Sequence, residues 1–306
     1  MKIVIAGASG LIGRSLTASL LQSGHEITTL TTRTVKSDST HNTGFRQIHW
    51  DGVTAGEWTL RVQQADAVIN LSGQSLASGR WTRERKKLLI QSRVLPTRIL
   101  VATMSAAIRK PSVFLNASAV GYYGSVHDGI VGEDHRPGSD FLATLCVNWE
   151  EEARPASRAG IRTVLLRTGV VLETDGGALQ RLVLPFKLFV GGPLGPGTQW
   201  MPWIHREDMI RAILFALENN ISGPVNLSSP ESVTMDEFSR TLARVLKRPG
   251  ILRVPAFVLR LMLGEMAMVV LTGQRAVPQV LTASGFQFKH PVLEEALADL
   301  LKPPSR

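Results

Sequence analysis

The sequence is poor in cysteine and in long apolar runs, and each shortage excludes a class of protein. Cys146 is the one cysteine among 306 residues, which excludes internal disulfides and any zinc or iron–sulfur site built from several cysteines. No stretch approaches the ~18 consecutive apolar residues that a membrane-spanning helix requires, and too few apolar residues precede Gly7 to form a signal-peptide core. We therefore expect a cytoplasmic protein with no metal site and no membrane partner.

Acidic residues are outnumbered, and the excess of positive charge is local. The formal net charge is +9, and between Arg80 and Lys110 nine basic residues accompany a single acid, Glu84. A basic helix of this kind suits a small phosphorylated ligand, and it is equally typical of a solvated helix face. No nucleic-acid-binding motif accompanies it, so we expect no nucleic-acid partner.

The N-terminus has the pattern of a nucleotide-binding turn. The apolar residues 3–6 predict a buried strand, and a helix-like stretch follows the glycines at positions 7, 10 and 13. In that context Gly7 permits a tight turn, Gly10 leaves room for a pyrophosphate, and Gly13 lets the helix pack closely. The N–H groups of Leu11 and Ile12 at the helix start favour an anion, and Ser9 can add a hydroxyl. The alternative is a tight turn in some other α/β fold.

The second predicted strand, 26–31, lacks the acidic residue that an NAD site uses to bind the ribose 2′-hydroxyl. The chain continues instead with Thr32 and Arg33. A guanidinium at this position can pair with a 2′-phosphate, which indicates NADP as the cofactor. The alternative is that Arg33 is an ordinary surface arginine at the start of a polar loop.

Further short apolar runs alternate with helical stretches, which predicts an α/β fold with a Rossmann-type, doubly wound parallel sheet. The runs cover residues 46–50, 67–71, 113–117, 163–167 and 225–227. We assign 1–172 and 200–228 to an NADP-binding domain, and 173–199 and 229–306 to a smaller C-terminal substrate lobe. The apolar segment Phe257–Leu271 is expected to pack on that lobe, with a membrane surface or a partner helix as the alternative.

The sequence resembles the short-chain dehydrogenase/reductase superfamily over essentially its whole length. The motifs that carry the resemblance are GASGLIG at 7–13, WD at 50–51, NLSG at 70–73, SAVGYYG at 118–124, RTGVVL at 167–172 and PWIH at 202–205. Together they are similar to the atypical, extended "epimerase family protein" subgroup, NADP-dependent oxidoreductases with a C-terminal extension of unassigned function.

The resemblance implies further cofactor contacts. Asp51 is expected near the adenine, and Leu71, Ser72 and Gly73 are expected along the adenosine. Arg93 stands where extended members carry an asparagine near the nicotinamide, and Ala117 ends the fifth predicted strand. Members of the superfamily are often dimers, so a homodimer is left open.

The chain departs from catalytic members of the superfamily at the Tyr-x-x-x-Lys pair, in which the lysine lowers the pKa of the tyrosine. Four residues after the two tyrosines stand Val126 and His127. If Glu150 matches the glutamate that often follows the lysine, Leu142 and Cys146 occupy the places of the missing pair. The remaining candidates for proton donor or electrophile are Ser118, Tyr122, Tyr123 and His205. We therefore expect an NADP(H)-binding oxidoreductase or epimerase-like enzyme acting on a small molecule, perhaps a nucleotide-linked one; the alternative is a non-catalytic NADP(H)-binding regulator.

The assignment of Arg33 predicts a specific binding defect. A charge-assisted contact contributes ~1.5–3 kcal/mol, so Arg33→Ala should weaken NADPH binding by about ten- to a hundredfold and leave NADH binding nearly unchanged. Tryptophan fluorescence titration with both nucleotides measures this, with Arg158→Ala as a control for the loss of an arginine. Equal losses for NADPH and NADH would contradict the assignment.

Overall fold

The computed structural model describes residues 1–34 and 44–302. The strands of the described chain are, in order, β1 (Lys2–Ala6), β2 (Glu26–Thr31), β3 (Phe45–His49), β4 (Ala67–Asn70), β5 (Val113–Ala119), β6 (Arg162–Thr168), β7 (Val170–Leu172), β8 (Trp200–Met201), β9 (Trp203–His205), β10 (Gly223–Leu227) and β11 (Val233–Thr234).

Seven of these strands form one sheet in the order β10-β6-β5-β4-β1-β2-β3, and every neighbouring pair is parallel. A parallel sheet needs helical crossovers that cover both of its faces, so its strands are nearly continuous apolar runs. The predicted Rossmann-type doubly wound fold is confirmed. The predicted strands differ from the observed ones by one or two residues at their ends; for example, β3 runs from Phe45 to His49 rather than from Arg46 to Trp50.

The helices that cover the sheet and build the rest of the chain fall between the strands. In chain order they are α1 (Leu11–Gln22), α2 (Trp58–Gln63), α3 (Arg83–Ser105), α4 (Phe141–Arg158), α5 (Gly177–Lys187), α6 (Arg206–Glu218), α7 (Met235–Leu246), α8 (Ala256–Leu263), α9 (Met268–Leu271), α10 (Gln279–Ala283) and α11 (Leu293–Leu300). No helix in the described part of the chain is long and apolar enough to cross a membrane.

Alternate residues of each strand supply two cores. Ile3, Ile5 and Ile69 pack towards α1 and α6, whereas Val4 and Val68 pack towards α2, α3 and α4. This division follows from the period-2 geometry of a strand, in which successive side chains point to opposite faces. Because all seven strands are parallel, their carboxyl ends lie on one edge of the sheet, where ligands bind in such sheets.

A third core, formed by α5, α7, α11 and the short strands, lies in the region predicted as the smaller lobe. Thr234 is the N-cap of α7 and forms a capping box, in which the Thr234 hydroxyl accepts from the Glu237 N–H and the Glu237 carboxylate accepts from the Thr234 N–H. Strand β8, which we assigned to the larger domain, pairs with β11 of this region. The exact domain boundaries stay a prediction.

The segment expected to pack on the small lobe does so only in part. It forms α8, a single 3₁₀ turn and α9, and Leu259 and Ala267 are buried. Other side chains of α8 remain in solvent, including Phe257 and Leu261.

Candidate functional site

The turn between β1 and α1 is packed so tightly at Gly7 and Gly13 that only glycine fits at these two positions. Gly7 has a φ of +80°, and a Cβ there would lie 2.5 Å from the carbonyl of Leu71, just after β4. A Cβ on Gly13 would lie 2.5 Å from the carbonyl oxygen of Gly7. Gly7 and Gly13 thus bring the turn, the end of β4 and the start of α1 into direct contact, as the spacing predicted.

Gly10 is different because it is exposed and only one atom lies within 4 Å of a Cβ built there. The nearest atom to a Cβ built there is the Gly7 carbonyl oxygen, at 3.3 Å. Gly10 is also the N-cap of α1, where no side chain caps the helix and no acidic residue occupies the first turn. The N–H groups of Leu11, Ile12 and Gly13 are therefore available to an anion at the positive end of the helix dipole. Ser9 is exposed beside them.

The ends of β2 and β3 carry the residues predicted on the adenosine side. Thr32 and Arg33 are both exposed, and the Arg33 N–H donates to the Thr31 hydroxyl oxygen at 3.2 Å. Asp51 is exposed and accepts hydrogen bonds from the Thr54 hydroxyl (2.6 Å) and from the N–H groups of Val53 and Thr54. These bonds, the hydroxyl first, lower the pKa of Asp51 to about 2. Asp51 is thus an ionised carboxylate that shapes its own turn.

The segment after β4 holds Arg93 in place. Its guanidinium donates to the carbonyl oxygens of Leu89 (2.9 Å) and Gln74 (3.0 Å), and a Cβ on Gly73 would lie 3.1 Å from its Cζ. Burial lowers the pKa of Arg93 to about 10, so it stays charged at neutral pH. Its Nε is buried and has no partner among the described residues, and a buried orphan donor of this kind requires an explanation such as a bound ligand. Leu71 and Ser72 lie on the same segment, where the Ser72 N–H donates to Asn70 Oδ1 at 3.1 Å.

Beyond Ala117, β5 continues to Ser118, which is buried and already bonded. The Ser118 hydroxyl donates to Glu150 Oε1 at 2.7 Å. The same carboxylate pairs with Arg167, whose Nε and Nη2 donate to its two oxygens at 2.8 and 2.9 Å. Both side chains of this ion pair are almost fully buried. Ser118 therefore donates its hydroxyl hydrogen to an internal carboxylate.

Tyr123 belongs to the same network. Its hydroxyl donates to Asn226 Oδ1 at 2.6 Å and accepts from Arg167 Nη1 at 3.0 Å. Burial raises the pKa of Tyr123 to about 12, which makes it a poor base near neutral pH.

Tyr122 differs from Tyr123 because its hydroxyl forms no hydrogen bond with the described residues. The Arg167 guanidinium lies 3.5 Å from the centroid of its ring. Tyr122 also lines a cleft of about 400 Å³ between α4, β6 and β10. Neither this cleft nor a cavity of about 330 Å³ near Pro278 is lined by a residue predicted to bind the cofactor.

The helix α4 carries no catalytic pair. Cys146 is completely buried, and burial raises the pKa of its thiol to about 12. A Cβ on Gly121 would lie 3.3 Å from the Cβ of Leu142 and 4.0 Å from Cys146 Sγ. Apolar packing between α4 and the 3₁₀ turn at 120–123 thus surrounds Leu142 and Cys146, the two residues that we matched to the missing pair.

His205 is the N-cap of α6, and its Nδ1 accepts from the Glu207 N–H at 3.1 Å. Its ring stacks on His290 with centroids 3.8 Å apart, and His205, Glu207 and His290 lie close enough to bind a metal ion. However, an Nδ1 that accepts a hydrogen bond leaves the hydrogen on Nε2, so the ring presents a donor, not a lone pair, to the cluster. The arrangement favours a structural role for His205.

Comparison with known proteins places this geometry in a family. Residues 3–228 match the model of the NAD dependent epimerase/dehydratase family, and residues 254–300 match a domain of unknown function (DUF1731). The chain belongs to the NAD dependent epimerase/dehydratase family, as an atypical short-chain dehydrogenase/reductase with a C-terminal extension. The family predicted from the motifs is confirmed.

Several relatives match along nearly the whole chain. The epimerase family protein ML0860 of Mycobacterium leprae is 40% identical over 99% of this chain and 97% of its own length. Human epimerase family protein SDR39U1, whose crystal structure was solved with NADPH, is 30% identical with a TM-score of 0.85, covering 98% of this chain and 99% of that one. A nucleoside-diphosphate sugar epimerase from Corynebacterium glutamicum is 32% identical with a TM-score of 0.78, and the match covers 98% of this chain and 57% of that chain.

The sequence reasoning missed the ion pair at the centre of the site. Arg167 was read only as part of a family motif, and Glu150 only as a marker of the helix register. Two opposite charges 17 residues apart carry no periodic signal, so only the packing of α4 against β6 reveals the pair.

The buried pair predicts an unequal cost for two similar substitutions on α4. Glu150→Gln leaves the Arg167 charge buried without its partner and should lower the free energy of unfolding by about 3–5 kcal/mol. Glu152→Gln breaks the exposed pair of Glu152 with Arg98 and should cost about 1 kcal/mol or less. Urea unfolding measures both. Similar losses of unfolding free energy in the two variants would show that the buried pair contributes no more to stability than the exposed pair.

The position of His205 predicts a pH effect. Burial, followed by the nearby His290, lowers its folded-state pKa below the ordinary 6.5, so the unfolded chain binds the proton more readily. Stability should therefore fall as the pH drops below about 6.5. His205→Asn keeps an N-cap acceptor without a titrating ring and should lose less stability between neutral pH and pH 5. Identical pH profiles of the unfolding midpoint in the two proteins would exclude this role.

Proposed function

We propose that this chain binds NADP(H) at the β1–α1 turn and catalyses an oxidation–reduction, alone or within an epimerisation, on a small substrate. The observation that carries the proposal is the uncapped N-terminus of α1, lined by glycines and lying on the same sheet edge as exposed Arg33. The human relative solved with NADPH supports the choice of cofactor.

The residues present fit such a cofactor. The N–H groups of Leu11 and Ile12 would bind its pyrophosphate, and Arg33 its 2′-phosphate. The orphan Nε of Arg93 provides a buried donor beside Gly73. When bound, NADP(H) supplies or accepts the hydride. Arg93 can polarise an oxygen but cannot act as a general acid.

Tyr122 is the best candidate for the proton donor among the four predicted residues. Ser118 and Tyr123 are committed to the Glu150–Arg167 network, and His205 caps α6. The Tyr122 hydroxyl has no bond to the described residues, and its ring lies against the Arg167 guanidinium.

The substrate is proposed to be a small carbonyl or hydroxyl compound, in particular a nucleotide-linked one. The Corynebacterium relative is described as a nucleoside-diphosphate sugar epimerase, and the N-terminal turns of α3 carry Arg83, Lys86 and Lys87. A cytoplasmic location and a homodimer stay predictions.

The second candidate is a non-catalytic NADP(H)-binding regulator. The observation that favours it is the apolar packing of Leu142 and Cys146 in place of the tyrosine and lysine. Such a protein would bind the nucleotide through the same turn and would need no proton donor.

Turnover distinguishes the two proposals. Net oxidation or reduction is followed by absorbance at the nicotinamide band with NADPH or NADP⁺, and epimerisation, in which the hydride returns to the substrate, by chromatographic separation of the sugar nucleotides. Across a panel of carbonyl compounds and sugar nucleotides, at least one substrate should react by one of these two readouts. Tyr122→Phe should then lower kcat by about a hundredfold or more without changing NADPH affinity. Tight NADPH binding without turnover across the panel would favour the regulator. Equal kcat in Tyr122→Phe would remove Tyr122 as the donor.

A further inference from the structure

Nine of the large apolar residues that are more than half exposed lie in three neighbouring segments. The residues concerned belong to the end of α5, to the segment before α8 and to α8 itself. We call this surface the α5–α8 face; it comprises Leu184, Leu188, Phe189, Val190, Ile251, Leu252, Phe257, Leu261 and Met262. Scattered exposed apolar residues are ordinary, but a contiguous group marks a binding surface.

Direct contacts make these segments neighbours. The Leu252 N–H donates to the carbonyl oxygen of Gly191 at 3.2 Å, and the Val254 N–H donates to Pro193 at 2.9 Å. The guanidinium of Arg248 lies 4.7 Å from the centroid of the Phe189 ring. Helix α8 begins two residues after Val254, so its first turn lies close to the chain that follows the end of α5.

The other ends of the two helices also meet a common element, the loop before α3. Arg181 of α5 donates to the carbonyl oxygen of Ala77 at 3.1 Å. Arg80 donates to the carbonyl oxygens of Leu261 and Met262 at the end of α8. The two helices are therefore linked at one end through residues 191–193 and 252–254, and at the other end through the loop before α3. We take their exposed apolar residues as one surface.

The segments that form this surface carry an excess of positive charge, although Glu265, Glu294 and Asp236 adjoin them. Residues 181–192 and 244–263 together contain seven basic residues and no acid. Within the described chain, two of the seven pair with a carboxylate, Arg244 with Glu294 and Arg253 with Asp236. The other five are Arg181, Lys187, Lys247, Arg248 and Arg260.

The basic start of α3 adjoins the same surface. Lys86 pairs with Glu265 just after α8, and Arg83, Lys87 and Leu88 are exposed nearby on α3. The two most basic parts of the chain, remote in sequence, thus converge on the exposed apolar helix.

We propose that the α5–α8 face docks onto the surface of an anionic lipid bilayer. Exposed Leu, Phe and Met side chains interspersed with Lys and Arg are typical of segments that lie in a membrane interface, where the apolar groups enter the acyl boundary and the cations meet anionic headgroups. A protein partner would be expected to exclude lysine from the centre of the contact. The proposal is independent of the cofactor. It opposes our sequence-based expectation of no membrane partner and adopts the membrane-surface alternative for part of Phe257–Leu271.

The test is co-sedimentation of the full chain with vesicles of phosphatidylcholine alone or with about a third phosphatidylglycerol. Binding is expected to the anionic vesicles and to weaken as salt rises. Leu188→Ser combined with Leu261→Ser should weaken it by about tenfold or more, since each removes an apolar group from the interface. Lys187→Glu combined with Arg260→Glu should abolish the preference for phosphatidylglycerol.

The matched control is Ile108→Ser, which removes a fully exposed apolar residue at the other end of α3, roughly 35 Å along the helix. It should bind vesicles as the wild type does, and all variants should keep wild-type NADPH affinity and unfolding midpoint. Absence of vesicle binding at low salt would overturn the proposal, as would equal binding in all variants. A wild-type dimer that the serine variants convert to monomer, without lipid binding, would show instead that the face joins two copies.

Discussion

The structure of the candidate site depends on the contact of the β1–α1 turn with the chain that follows β4. Gly7 lies so close to Leu71, and Gly13 so close to Gly7, that a methyl group at either position would overlap backbone atoms. Backbone cannot yield as a flexible side chain can, so this contact fixes where α1 begins relative to the sheet. It leaves the free N–H groups of α1 beside the segment 71–73 and the ends of β2 and β3. The phosphate binding that we propose at this edge would therefore be a consequence of backbone packing.

The second half of the site is organised by charge. The Glu150–Arg167 pair joins α4 to β6, and its remaining bonds hold Ser118 and Tyr123. A buried pair is costly unless both ions are fully hydrogen-bonded, and here the carboxylate receives three bonds. The serine and one tyrosine that catalytic relatives would suggest as reactive groups thus stabilise the interior. The ring of Tyr122 packs against the same arginine, but its hydroxyl has no hydrogen bond to the described chain. This is why we propose Tyr122 as the proton donor.

Much of this architecture could be predicted from the sequence, because the signals are local. The apolar runs of β1 and β4, the glycine spacing and the Thr234 capping box each lie within a few residues, and each has a direct physical meaning. Strand ends were less certain, as β3 shows. The burial of Ser118 and the pairing of Glu150 with Arg167 could not be predicted, since they depend on how α4 packs on the sheet. The apolar segment after Ala256 was ambiguous for the same reason: its periodicity does not tell a buried helix from one at an interface.

The most direct test of the proposed cofactor site is a crystal structure of this chain grown with NADPH. We expect the pyrophosphate to bind the N–H groups of Leu11 and Ile12 and the 2′-phosphate to contact Arg33. The Glu150–Arg167 pair should remain intact. NADPH bound elsewhere, or a protein that crystallises unchanged in saturating nucleotide, would contradict the assignment of the glycine turn as a cofactor site.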